Sequence, residues 1–240
     1  MRWVTVLPDE VKTDVIVKTP FMKKIYALRP IYHGLMLAIP EYVYSSTQSV
    51  FETLIRKGLT SGTPYTPRFD FEKIREVYEL ISQWNSLKLN GSLIYRGTSN
   101  VHYSSISEDY LTSAGVVGVI NGEAKNLTYF SYFPASALIF AGMNYDPIMI
   151  VAEYDPDYCS PDNYFMIDQE ISGLVNDKIY NYGAVRFLRE MEVRCYKYPK
   201  SKIKYVLHKD DLKKLLKMVI PVYKQYMDDK DIKNIEEGLK

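Results

Sequence analysis

Two short stretches nearly a hundred residues apart restrict what this chain can fold into. Each sets ionisable side chains inside a segment that otherwise reads as β-strand. One is Leu93-Ile94-Tyr95-Arg96-Gly97-Thr98-Ser99; the other is Arg189-Glu190-Met191-Glu192-Val193-Arg194-Cys195. A strand in a folded domain loses water on at least one face, and a buried charge without a partner is expensive. Either these charges pair with one another, or they hold a polar ligand between them.

Strand side chains alternate, so Glu190 and Glu192 share a face if residues 186–196 form one strand. Taken alone, the pair reads as an exposed strand face matched by nearby lysines. Arg96 ends a hydrophobic strand and is followed by Gly97, which permits close approach of a ligand to the backbone. Its planar fork of donors suits phosphate. Taken alone, it reads as a strand-end Arg in a salt bridge.

The remaining pattern is that of a mixed α+β chain. Residues 11–17 alternate in part and suit a strand, and residues 31–38 suit a short strand or a buried helical turn. Residues 49–57 and 70–87 carry helical spacing, the second with Phe71, Ile74, Val77, Tyr78, Ile81 and Trp84 on one side. Strand patterns follow at 93–95, 115–120, 127–131, 147–154, 186–196 and 203–207. Residues 103–110 suit a loop or a short helix. Pro134 opens a small-residue helix that Gly142 stops, and residues 212–219 form a terminal helical face before Pro221. Runs of strands between helices argue α+β rather than a regular βαβ alternation. GxGxxG and GxxxxGK are both absent, which removes the usual dinucleotide and P-loop signatures.

Composition limits the function classes. The 240 residues carry 30 basic and 29 acidic side chains. This near-zero balance argues against nucleic acid as the main partner. No apolar run reaches membrane-spanning length, and Met1-Arg2-Trp3-Val4 does not open a secretory leader before Asp9 and Glu10. Cys159 and Cys195 are too far apart for a CxxC unit. A disulfide between them is open, and the expectation is a cytoplasmic protein with free thiols. His33, His102 and His208 are scattered without zinc spacing, and no metal site is expected.

The segments resemble the mono- and poly-ADP-ribosyltransferase superfamily, whose members bind NAD in a cleft of a split β structure. Tyr95-Arg96-Gly97-Thr98 is similar to the motif ending the family's first core strand. Glu190-Met191-Glu192 is similar to the ExE pair of arginine-targeting members. The stretch Leu127-Thr128-Tyr129-Phe130-Ser131 with the helix from Pro134 is similar to the family's middle strand and helix, although the Ser-Thr-Ser triplet of toxin-like members is absent. The resemblance spans roughly residues 92–207. It implies a split-sheet core at 89–210, with a mostly helical region at 1–88 and a helical segment at 211–240.

The resemblance also implies roles. Glu192 is the carboxylate that stabilises the oxocarbenium-like ribose as nicotinamide leaves. Glu190 positions or deprotonates the acceptor. Arg96, with Gly97 and Thr98, holds the NAD; Gly97 does so through its backbone, at the nicotinamide amide. Ser131 supports Glu192 or the ribose, and Tyr129 is the alternative, as a stacking residue. NAD is then a consumed substrate and a protein, with arginine as the leading acceptor residue, receives ADP-ribose; water in its place gives NAD hydrolysis. Two other classes stay open: a non-catalytic interaction or structural module that keeps the fold, and a nucleic-acid-binding α+β protein using the 22 Tyr and the strip Lys197, Lys200, Lys202 and Lys204.

Overall fold

A computed structural model describes residues 6–37, 89–112, 117–120, 123–161, 191–223 and 229–240. The chain divides into two compact units. One comprises Met1–Met22, Leu89–Pro161 and Glu190–Lys240; the other comprises Lys23–Lys88 and Asp162–Arg189. The sheet and its helices belong to the first unit, and the described part of the second continues helix α1.

The first unit is an α+β structure with an open, antiparallel, seven-stranded sheet flanked by helices. Helix α1 (Asp9–Leu37) leads in. Strand β1 (Leu93–Ser99) passes into a short helix α2 (Asn100–Ser105). The hairpin strands β2 (Val117–Ile120) and β3 (Glu123–Ser131) precede helix α3 (Pro134–Gly142). Strands β4 (Pro147–Glu153), β5 (Cys159–Pro161), β6 (Glu192–Tyr196) and β7 (Ile203–Leu207) complete the sheet, followed by helices α4 (Lys209–Tyr223) and α5 (Asp229–Gly238). The strand order is β5-β6-β3-β1-β4-β7, with β2 attached to β3.

Strand β4 lies inside the sheet, and Ile148 to Ala152 are buried at every consecutive position. Because strand side chains alternate, unbroken burial means both faces of the sheet are covered here. Tyr95 and Gly97 share the face of β1 that receives helices. Tyr95 donates its hydroxyl to Asp14 of α1, and a Cβ at Gly97 would lie 2.0 Å from the Ala137 carbonyl oxygen of α3. Helix α3 is itself in close contact with α5, since a Cβ on Gly238 would lie 2.0 Å from the Gly142 carbonyl oxygen. Leu212, Leu215, Leu216 and Val219 bury one side of α4.

The small-residue helix begins at Pro134 and ends at Gly142 as the sequence suggests, and residues 203–207 form the expected strand. Residues 11–17 do not form a strand. They belong to α1, where Val11, Val15, Lys18 and Met22 are buried at helical spacing while Ile16 and Val17 are exposed. A lysine in the apolar stripe and Pro20 just beyond it disguise the helix as partial alternation. Residues 31–37 continue the same helix. The expected free thiols are also overturned: Cys159 and Cys195 stand opposite one another on β5 and β6 and form a disulfide. The helices expected at 49–57 and 70–87 lie outside the described residues. Among the described residues, no helix is long and apolar enough to cross a membrane.

Candidate functional site

The strand order makes β1, β3 and β6 consecutive neighbours, and these strands carry Arg96, Ser131 and Glu192. Ser131 stands opposite Glu192 across β3 and β6, and opposite Tyr95 across β1 and β3. Directly opposed residues in an antiparallel pair project to the same face with Cβ atoms about 5 Å apart. Ser131 and Glu192 are therefore adjacent side chains. Both are buried, at 5% and 8% exposure, so Glu192 does not stand in bulk solvent.

Arg96 lies on the next strand, one position past Tyr95, so alternation starts its side chain on the opposite face of the sheet from Ser131 and Glu192. Strand β1 pairs with β4 from Leu93 to Ser99 but meets β3 in register only at Tyr95 and Ser131. Past that point the two strands part, and Arg96 bridges the boundary: its Nη1 donates to the Tyr129 carbonyl at 2.8 Å. Burial pulls the guanidinium down to about 10, while the Glu192 carboxylate acts in the opposite direction. Arg96 is thus still a cation at neutral pH, set in the field of Glu192.

The backbone before Glu192 is unusual. Met191 is buried with φ at +40°, a region that non-glycine residues rarely occupy. Such a conformation costs on the order of 1–3 kcal/mol and persists only where the surroundings impose it. Here the Met191 carbonyl accepts from the Tyr132 N–H at 3.0 Å, joining the end of β3 to the start of β6. Strand β6 begins only at Glu192. Glu190, the other half of the expected pair, lies outside the described residues.

The other sequence candidates take structural positions in this neighbourhood. Gly97 needs its bare Cα because the backbone of α3 occupies the Cβ position: the Ala141 amide nitrogen is 2.4 Å away, beside the Ala137 contact. Thr98 is buried opposite Ile148 of β4. Tyr129 contributes its carbonyl to Arg96 and stands opposite Arg194. The Ser131 Oγ accepts from the Phe133 N–H at 3.2 Å, shaping the turn into α3.

The lysine strip is engaged within the chain. Lys200 donates to the Ile106 carbonyl at 2.6 Å, Lys202 pairs with Asp155, and Lys204 pairs with Glu10 and, at 3.0 Å, with Glu153. Lys197 lies 5.5 Å from the ring centres of both Tyr110 and Tyr196. These contacts also occupy Asp155, whose carboxylate accepts from the Asp157 N–H. His102 sits in α2 with Nε2 3.3 Å from the Thr112 carbonyl. Among the described residues no group of His, Cys, Asp and Glu is arranged to hold a metal.

One cluster escaped the sequence reading. Lys18 of α1 is buried, pairs with Asp14 at 2.8 Å, and donates to the Leu93 carbonyl at 2.6 Å and the Tyr132 carbonyl at 2.9 Å. Its ammonium lies 4.0 Å from the Tyr132 ring centre and 5.1 Å from that of Tyr95. The available signal was Lys18 seven residues after Val11 on the apolar stripe of a helix.

Comparison with known proteins adds a relative but no function. The chain is 29% identical over 214 residues to "Uncharacterized protein 67" of Sulfolobus islandicus filamentous virus (isolate Iceland/Hveragerdi), covering 84% of this chain and 90% of that protein. No family model matches, and no solved structure matches.

Proposed function

We propose that this chain is an ADP-ribosyltransferase of the split-sheet type, which cleaves the nicotinamide–ribose bond of NAD and passes ADP-ribose to a protein. The observation that supports the reading is the placement of Arg96, Ser131 and Glu192 on three consecutive strands, with Ser131 and Glu192 directly opposed and Arg96 in the field of Glu192. The residues chosen from the sequence for their chemistry lie far apart along the chain and are neighbours in the sheet.

The chemistry follows from their types. As nicotinamide departs, positive charge develops on the ribose. A fixed carboxylate in a site with little water stabilises that charge without having to reorganise. Glu192 is that carboxylate, and the opposed Ser131 hydroxyl orients it or a ribose hydroxyl. Arg96 binds the pyrophosphate, exchanging the Tyr129 carbonyl for phosphate oxygens, and so sets the reacting geometry. The Gly97 backbone, beyond the point where β1 pairs with β3, holds the nicotinamide amide. Glu190 acts on the acceptor, and arginine is the leading acceptor residue; water in its place gives NAD hydrolysis. The reading places the protein inside a cell. Its disulfide then fits the disulfide-rich interior of a hyperthermophile better than a reducing mesophilic cytosol.

A second reading, a non-catalytic module, is favoured by one observation. Arg96 already donates to Tyr129 within the chain, as a purely structural arginine would. Incubation of the protein with labelled NAD and a mixture of protein acceptors separates the two. Nicotinamide release that disappears in Glu192→Gln supports transfer or hydrolysis. Absence of release and of NAD binding in the wild type leaves the structural module.

A further inference from the structure

The buried lysine of α1 has no part in the chemistry above, yet its position ties it to the same strands. Lys18 places one ammonium on two backbone carbonyls, Leu93 at the start of β1 and Tyr132 just past the end of β3. These two carbonyls lie together on one side of the Tyr95–Ser131 pair, the register contact beyond which β1 and β3 part. Asp14 supplies the counter-charge and also accepts the Tyr95 hydroxyl, so one helical turn of α1 grips both strands. The rings of Tyr95 and Tyr132 flank the ammonium.

We propose that Lys18 is a positioning residue, a cationic brace from α1 that fixes the β1–β3 junction and thereby the relative placement of Arg96, Ser131 and Glu192. A buried ion pair is seldom needed for stability, since apolar residues of similar volume usually serve as well. Burial holds the Lys18 ammonium down to about 8 despite Asp14, which agrees with a group kept at a cost. What a lysine supplies and a methionine cannot is three directed donors. Here they fasten two strands and a helix at one point. The link to catalysis rests on the transferase reading; the brace itself does not.

The test compares wild type with Lys18→Met and with Asp14→Asn by amide hydrogen exchange and nicotinamide release. The expected result is a folded Lys18→Met protein in which exchange accelerates at residues 93–99 and 127–133 but not in β7. Its kcat per folded molecule falls about tenfold or more, as displaced reacting groups would produce. Asp14→Asn gives smaller changes of the same kind, and decides the matter if Lys18→Met does not fold. Unchanged exchange at the β1–β3 junction overturns the brace. A lower melting temperature with unchanged kcat per folded molecule overturns the positioning role. If the wild type releases no nicotinamide, the transferase reading fails, the positioning role falls with it, and exchange alone decides whether the brace exists.

Discussion

Ser131 and Glu192 face each other across β3 and β6, with Arg96 on β1, the strand beyond β3. A buried hydroxyl beside a buried carboxylate, with a guanidinium within reach of its field, suits a site where positive charge appears on a substrate. Glu192→Gln keeps the side-chain volume and removes the charge. Nicotinamide release should fall on the order of a hundredfold or more, the scale on which preorganised charge stabilisation operates. Folding should change by no more than about 1–2 kcal/mol, since an amide can still hydrogen-bond. Steady-state kinetics and thermal melting of the same sample check both halves.

Arg96 has two jobs that substitution can separate. Arg96→Lys retains a cation near Glu192 but loses the planar fork. NAD affinity should weaken by about tenfold or more through loss of a bidentate phosphate contact. Arg96→Ala should also destabilise the fold by about 1–3 kcal/mol, because the Tyr129 carbonyl and Glu192 both lose their cation. Calorimetric titration with NAD and denaturant unfolding measure the two effects independently.

Much of the sheet was legible because its strands are short apolar runs bounded by turn residues, as in 147–154 and 203–207, and because Pro134 and Gly142 punctuate α3. The candidate site was legible only as residue types. That Ser131 meets Glu192 depends on pairing between segments 61 residues apart, which no local pattern encodes. In helix α1, Lys18 interrupts the apolar stripe and hides its helical period, and the reason for that lysine is tertiary. The disulfide is not legible in the sequence for a similar reason: Cys159 and Cys195 become partners only once β5 and β6 align. Met191 shows the converse, a local conformation dictated by its surroundings against its own preference.

The sequence suggests that Gly97 leaves room for a ligand, and in the structure α3 fills its Cβ position. Gly97→Ala would set a methyl 2.0 Å from the Ala137 carbonyl oxygen and 2.4 Å from the Ala141 nitrogen. Both are backbone atoms, so α3 must move as a body. Overpacking of this kind costs about 1–3 kcal/mol. Gly91→Ala meets nothing closer than 3.9 Å and pays only for its φ of +78°, about 1 kcal/mol. Thermal melts of the two variants should therefore rank Gly97→Ala as the more damaging.

The disulfide closes a separation of 36 residues, from just before the chain leaves β5 to just after it returns in β6. In the chain-entropy account such a cross-link stabilises by about 4 kcal/mol. Reductant, or Cys159→Ser with Cys195→Ser, should lower the melting temperature by roughly 8–16 °C for a chain of this size. The reduced wild type and the double variant should melt together, and further reductant should leave the double variant unchanged.

Alkaline pH should raise stability before it lowers it. Lys18 is held down to about 8 in the fold, first by burial, against an ordinary value of 10.5. Between these values the unfolded chain binds the extra proton, so stability increases with pH across that window; as pH falls through 8 the gain is lost. The full span corresponds to about 3 kcal/mol. Tyr132 opposes it from above. Burial pushes its hydroxyl up to about 12 from 10.0, with the Asp14 charge adding to the shift, and its contribution, fully present below 10, disappears as pH rises through 12. Tyr95 is shifted in the same direction by burial and Asp14. Denaturant unfolding from pH 7 to 11 should thus show a maximum near pH 10, and Lys18→Met should remove the rising limb while leaving the falling one. A wild-type profile that declines steadily from pH 8 would mean that Lys18 is not buried as a cation beside Asp14.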